Sequence, residues 1–148
     1  SGIEYDMRKA EPFGIYSDFQ FDIPTATEGD SYARHVVRMR EMEQCLRILE
    51  QVLNKFPKGG EFISPKAPTR NIKVPKGETY FAVEGARGQF ACHIVSDGSE
   101  IPQRLKLRTP SFHTMSAFAS FTGGLGYQTS DIVAILGSLD VVVPDMDR

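Results

Sequence analysis

An α+β fold follows from three features of this 148-residue sequence. Apolar residues recur in steps of three and four from Tyr32 to Leu53. Three β-rich runs between residues 78 and 109 are divided by turn signals, and two short helical patterns follow Pro110. The predicted architecture is one long bundle helix plus a small antiparallel sheet and short C-terminal helices. With 41% hydrophobic residues there is enough apolar material for a core.

Residues 1–29 carry aromatic-rich pieces (Tyr5, Phe13, Tyr16, Phe19, Phe21) divided by Pro12, Gly14, Pro24 and Gly29, a pattern of loops and short extended segments. Tyr32, Val36, Met39, Met42, Leu46, Leu49 and Leu53 then form one helical stripe. Asp30 or Ser31 can cap this helix, and Asn54-Lys55 followed by Pro57 and Gly59-Gly60 end it. It is about 24 residues and about 36 Å long, which calls for other helices beside it. The first unit is therefore 1–56. Residues 57–77, rich in proline, glycine and lysine, form a loop, and 78–148 form the second unit.

In that unit Glu78–Glu84, Gln89–Ser96 and Gln103–Thr109 read as a three-stranded meander, divided by Gly85-Ala-Arg-Gly88 and by Asp97-Gly98, the latter a hairpin turn signal. Leu105 and Leu107 alternate with Arg104, Lys106 and Arg108, which predicts one buried face and one cationic face, either solvated or partner-binding. Phe112–Phe121 and Gln128–Leu139 read as helices around Gly123-Gly124-Leu125-Gly126, the second capped by Thr129, Ser130 or Asp131. That glycine cluster has no following Lys-Ser/Thr and no βαβ frame, so it reads as a helix–helix turn and not a phosphate loop.

Net charge −2 and pI near 5.9 give no electrostatic footprint for nucleic acid. Cys45 and Cys92 are the only cysteines and lie far apart, which indicates neither a disulfide framework nor a thiolate metal site. His35, His93 and His113 fall on separate elements, so no metal ligand set is expected. The longest apolar run, near Ile132 to Val143, is broken by Gly137, Ser138 and Asp140 and falls short of the roughly 20 residues of a spanning helix. Any membrane association is expected through partners. The chain begins at Ser1 with neither Met nor a charged, apolar leader, and is expected to be a processed product or excised piece lacking an N-terminal part. No nucleophile constellation stands out.

A set of ordered motifs adds a further reading. Ser1-Gly-Ile-Glu-Tyr-Asp-Met-Arg-Lys9 with Glu11-Pro12, Gly29-Asp-Ser-Tyr-Ala-Arg34, Val37-Arg-Met-Arg-Glu-Met42 and Val74-Pro-Lys-Gly-Glu78 come first. Val95-Ser-Asp-Gly98, Leu107-Arg-Thr-Pro-Ser-Phe112, Ser130-Asp-Ile-Val133 and the terminal Asp-Met-Asp-Arg148 follow. The set resembles the C-terminal part of the 49-kDa or D-type subunit of respiratory complex I, a family related to nickel-iron hydrogenase large subunits. The resemblance implies a fragment of that hydrogenase-like fold. It also implies a role in a proton-translocating NADH:quinone oxidoreductase on the cytoplasmic face of the cell membrane, peripherally bound.

Partners implied by the resemblance are 30-kDa-type, cluster-bearing and membrane-anchor subunits. NADH, FMN and iron-sulfur clusters would lie in those partners, quinone would be the substrate, and this chain would bind no cofactor itself. Hydrogenase large subunits end near Asp-Pro-Cys-x-x-Cys-x-x-His, whose thiolates hold nickel. Here the frame reads Asp140-x-Val142-x-x-Asp145-x-x-Arg148. The resemblance makes these four residues quinone-cavity candidates: Val142 as apolar wall, and Asp140, Asp145 and Arg148 as a charged set shaping the cavity and its proton supply. The plainer alternative is that the charges only anchor the chain end.

Departures from the family pattern are Glu84-Gly-Ala-Arg-Gly-Gln89 for Glu-Ala-Pro-Lys-Gly-Glu, and Pro144-Asp-Met-Asp-Arg148 for Gly-Glu-Val-Asp-Arg. They leave the quinone type and the electron donor open. The family's quinone-headgroup tyrosine and histidine belong to the half that is not in this sequence. The competing readings are a membrane-bound hydrogenase-like large subunit and a non-catalytic assembly domain of the same fold.

Overall fold

The structure is a computed structural model, and it describes residues 2–60, 63, 72–123 and 126–147. The element order is α1 (Met7–Ala10), a 3-10 turn (Tyr16–Asp18), α2 (Ser31–Lys55), β1 (Gly77–Gly85), β2 (Gly88–Ser96), β3 (Arg104–Arg108), α3 (Pro110–Ser116), α4 (Phe118–Thr122), α5 (Thr129–Leu139) and α6 (Val143–Met146). This is the predicted α+β architecture. Much of the predicted 57–77 loop, Gly124 and Leu125 of the glycine cluster, and Arg148 lie outside the described residues.

Helix α2 starts where Asp30 takes the Ala33 N–H at 2.6 Å, which satisfies an orphan donor of the first turn. Its predicted apolar stripe faces outward: Tyr32 and Leu53 are 74% exposed and Leu46 66%. The face it buries is a different one, centred on Ala33, Gln44 and Ile48. The reason lies in the preceding segment. Phe19 and Phe21 pack on Ile48, with Tyr16 and Val52 beside them. The backbone between those aromatics then needs polar partners on the helix. Gln51 supplies both, accepting the Gln20 N–H at 2.9 Å and donating to the Gln20 carbonyl at 2.7 Å. Gln44 accepts the Asp22 N–H at 3.0 Å. The glutamine side chains thus act as a substitute strand for an extended segment.

Strands β1, β2 and β3 form an antiparallel sheet in sequence order. The tight turn is Gly85–Gly88, with Ala86-Arg87 between the paired glycines and Gly88 at φ +122°. The Asp97-Gly98 signal belongs instead to a longer loop, 97–103, held by Ser96 Oγ, which donates to the Val74 carbonyl and accepts the Gly98 N–H. Ala82 pairs with Ala91, and Met7 of α1 fills the space above them with 1% of its surface exposed. Burial of a side chain this size contributes about 2 kcal/mol.

Directly paired residues share a face, so Arg108, opposite Ala91, lies on the Met7 side. This corrects the expectation that the leucine face of β3 is the buried one. Leu105 is 55% exposed and Leu107 half-buried, because the small α1 helix covers the alanine side instead.

The N-terminal segment, expected to be loops and extended pieces, also contains α1 and the 3-10 turn. The helix expected over Phe112–Phe121 is split at Ala117, whose N–H turns back to Thr114 in a tight i→i−3 bond. Helix α5 is capped by Gln128, one residue before the predicted caps, while Asp131 takes the Gln128 N–H at 2.9 Å to complete a capping box. Arg34 and Arg38 of α2 both reach Ser138 of α5, at its hydroxyl (3.0 Å) and its carbonyl (2.6 Å).

Candidate functional site

Beyond α5 the chain reverses through Asp140, whose φ of 52° and ψ of 43° make it the one left-handed non-glycine among the described residues. Aspartate tolerates this region better than most side chains. The reversal presents the Asp140 carbonyl to Arg87 Nε at 3.1 Å, with the Asp140 carboxylate 3.7 Å from the same nitrogen. Both side chains remain well exposed, so the charge pairing is screened and the carbonyl bond fixes the geometry. The β1–β2 turn is thereby tied to the end of α5.

Val142 and Asp145 meet a different partner, the start of α3. Ser111 is 1% exposed. Its hydroxyl accepts the Val142 N–H at 3.3 Å, and its own N–H donates to the Asp145 carboxylate at 3.0 Å. Thr109, the N-cap residue just before α3, makes no side-chain cap, so the carboxylate from α6 takes that place. Of the four residues singled out from the sequence, Asp140 therefore faces Arg87, Val142 and Asp145 gather at Ser111, and Arg148 lies outside the described residues.

Asp140 also lines a cavity of about 470 Å³ between α1, α2 and the β1–β2 turn, together with Asp6, Arg8, Arg38, Glu41, Glu84 and Arg87. Its centre is a bidentate pair, Arg8 Nε to Asp6 Oδ1 at 3.0 Å and Nη2 to Oδ2 at 2.7 Å. The guanidinium is also 4.8 Å from the Phe21 ring centroid. Burial pushes the Asp6 carboxyl up, but hydrogen bonds from the Arg8 side chain and amide outweigh it and hold the group below the usual carboxylate range. The bond to Asp6 likewise drives the Arg8 guanidinium upward.

Burial pushes Glu84 upward, the Asp6 charge reinforces this, and Arg8 opposes it. Burial also raises Glu41, with Arg8 opposing and Asp6 reinforcing. Glu41 is exposed as a whole residue, so solvent weakens the effect there. One arginine thus faces three carboxyl groups, two of which hold a proton more tightly than a free glutamate.

Apart from Asp140, the cavity's charged residues come from α1 with its N-cap, from α2, and from the end of β1 with the β1–β2 turn, and no reading of the sequence singles them out. The available signal was the Asp6-x-Arg8 pair inside a conspicuous N-terminal motif. Among the described residues no group of three or more His, Cys, Asp or Glu side chains is placed to hold a metal ion.

The family model of the respiratory-chain NADH dehydrogenase 49-kDa subunit matches residues 1–70 and 62–148. The D-type subunit of the NADH-quinone oxidoreductase of Desulfotalea psychrophila is 51% identical over 148 residues, 100% of this chain and 39% of that protein. The corresponding D-type subunit from Syntrophobacter fumaroxidans is 48% identical over 147 residues, 99% of this chain and 38% of its own length. The chain thus spans well under half the length of these curated relatives. Among solved structures, a chain of the membrane-bound sulfane sulfur reductase, an archaeal respiratory membrane complex, superposes with a TM-score of 0.88 at 39% identity, covering 100% of this chain and 40% of that one. With its full length covered by the family model and by relatives of this similarity, the chain belongs to the family of the 49-kDa subunit of respiratory-chain NADH dehydrogenase.

Proposed function

We propose that this chain forms the C-terminal portion of the quinone-site subunit of a proton-translocating NADH:quinone oxidoreductase. The observation that carries the reading is the junction of Asp140 with Arg87 at the edge of the charged cavity. It joins the family's C-terminal segment to carboxyl groups able to store protons. Quinone reduction takes up two protons with two electrons, so a cavity wall that holds protons close to the reacting ring supports the chemistry. In this reading Val142 supplies apolar wall, while Asp140, Asp145 and Arg148 shape the cavity and its proton supply.

Electrons arrive from NADH by way of FMN and iron-sulfur clusters in cluster-bearing partner subunits, a 30-kDa-type subunit is a further neighbour, and a membrane-anchor subunit holds this one at the cytoplasmic face. No helix among the described residues is long and apolar enough to cross a membrane, which accords with attachment through partners.

The test is to purify the native complex from solubilised membranes and assay inhibitor-sensitive quinone reduction together with nickel. Quinone turnover without stoichiometric nickel is the expected result, and Val142→Met should alter inhibitor sensitivity. Unchanged sensitivity would remove Val142 from the wall. A second reading, a hydrogenase-like or sulfur-reducing respiratory complex, draws on the likeness to the sulfane sulfur reductase chain. Nickel with dihydrogen-linked activity, or sulfane reduction without quinone turnover, would favour it.

A further inference from the structure

The cationic row of β3 stands apart from the site described above. Pairing places Arg108 opposite Ala91, Lys106 opposite His93 and Arg104 opposite Val95, all on the sheet face that also carries Tyr80. Alternate residues of a strand are about 7 Å apart. The face therefore presents three cations in a regular line. The acid at this end of it, Glu78, is already engaged by His93 at 2.7 Å. Arg108 donates to the Gln89 carbonyl at 3.0 Å, whereas the side chains of Arg104 and Lys106 have no ion pair or hydrogen bond among the described residues.

Beside the row, Phe112 and His113 of α3 close a cavity of about 490 Å³ against Tyr80, His93 and Lys106. Tyr80 and Phe112 are 57% and 58% exposed. Because a carbonyl only accepts, His113 Nδ1 donates to the Thr109 carbonyl, which leaves its Nε2 able to accept. Finally, β3 is an outer strand of the sheet, so one side of its backbone carries no neighbouring strand among the described residues.

We propose that the β3 edge, with Arg104, Lys106 and Arg108, docks an extended acidic segment of a neighbouring subunit, which adds to the sheet as a fourth strand. Strand addition supplies main-chain hydrogen bonds, and period-two side chains supply selectivity. Every second side chain of the added segment would face the three cations and the cavity beside them, and carboxylates are the side chains that fit there. Cations on a sheet edge also discourage pairing with uncharged strands, so the same residues that welcome an acidic segment reject others. A chain of net charge −2 has no general need for such a concentration of positive charge.

The inference rests on the proposed reading of this chain only for the presence of a neighbouring polypeptide. The experiment uses the intact complex from solubilised membranes. A water-soluble carbodiimide is applied to couple Lys106 Nζ to any carboxylate in contact with it, and the product is mapped by mass spectrometry. In parallel, the rate of Lys106 acetylation by an N-hydroxysuccinimide ester is compared with the rate after unfolding in guanidinium chloride. A cross-link from Lys106 to an Asp or Glu of another subunit, with acetylation slowed by about tenfold or more as expected for a buried charge pair, supports the proposal. Lys106→Glu should weaken retention of that subunit and Lys106→Arg should keep it. An intact complex in which Lys106 is acetylated as fast as in guanidinium, or cross-links only within its own polypeptide, overturns the docking inference and leaves the proposed function standing. Absence of any multi-subunit assembly overturns both.

Discussion

The carboxylate of Asp145 accepts the backbone N–H of Ser111 at 3.0 Å, so helix α3 is capped by a residue 34 positions further along the chain. This bond gives the C-terminal segment a structural duty that is separable from any part in proton supply.

Two substitutions separate those duties. Asp145→Ala removes the cap and should cost about 1 kcal/mol of unfolding free energy. Asp145→Asn keeps an oxygen acceptor and should lose only a fraction of that. If Asp145 serves proton supply, Asp145→Asn in the native complex lowers quinone turnover at unchanged stability. Chemical-denaturation midpoints and turnover, measured side by side, decide it, and normal turnover in the Asn variant would leave Asp145 as an anchor only.

Asp140 offers a similar separation through its backbone. With φ at 52°, Asp140→Ala places a side chain with no compensating polar contact in the left-handed region, at a cost of about 1 kcal/mol. Asp140→Gly relieves that strain while also removing the carboxylate near Arg87. Glycine should therefore be the more stable of the two by thermal melting. If alanine proves equal to glycine, the left-handed reversal is not what fixes the α5–α6 junction.

The charged cavity carries its own pH signature. The carboxyl of Glu84 is raised above its ordinary value of 4.5 by burial first and by Asp6 second. A raised acid favours the native state fully below the unfolded value and loses that advantage as pH rises through the native one. Glu84 thus lowers stability progressively above about pH 4.5. Asp6, lowered from 3.8, acts in the opposite sense, with its contribution present above that value and lost as pH falls. Glu84→Gln should flatten the decline on the neutral side and leave the acid-side loss in place. Urea midpoints from about pH 2 to about pH 8 test this, and an unchanged profile would mean Glu84 titrates normally.

Helix α2 leaves Met39, Met42, Leu46 and Leu49 exposed along one line. A stripe of this kind drives association when it has no partner. The isolated chain should self-associate, and Leu46→Glu with Leu49→Glu should shift it toward monomer in analytical ultracentrifugation. A monodisperse monomer for the unaltered chain would show that the stripe needs no cover.

Local features were legible in the residues themselves. Asp30 and Pro57 bracket α2 within a residue or two of its observed ends because caps and prolines act on neighbouring amides. The Gly85–Gly88 turn and the strand runs followed from glycine conformation and side-chain alternation. Asp6 and Arg8 stand in the N-terminal family motif, but nothing in the sequence marked them as a pair, since their importance comes from Glu41 and Glu84 arriving from other elements.

What the sequence by itself determined was the long helix, the three strands, the helix before Asp140, their order, and the family frame into which Asp140, Val142 and Asp145 fall. The tertiary structure alone decided which faces are used. The apolar stripe of α2 is obvious in the sequence, yet the buried face is the one bearing Gln44 and Gln51, because the backbone of residues 20–22 has to find hydrogen-bond partners once Phe19 and Phe21 are buried. Leu105 faces outward because Met7, only one side chain, selects the alanine face of the sheet. Periodicity specifies that an element has two faces; the groups arriving from distant parts of the chain determine which face becomes the inside.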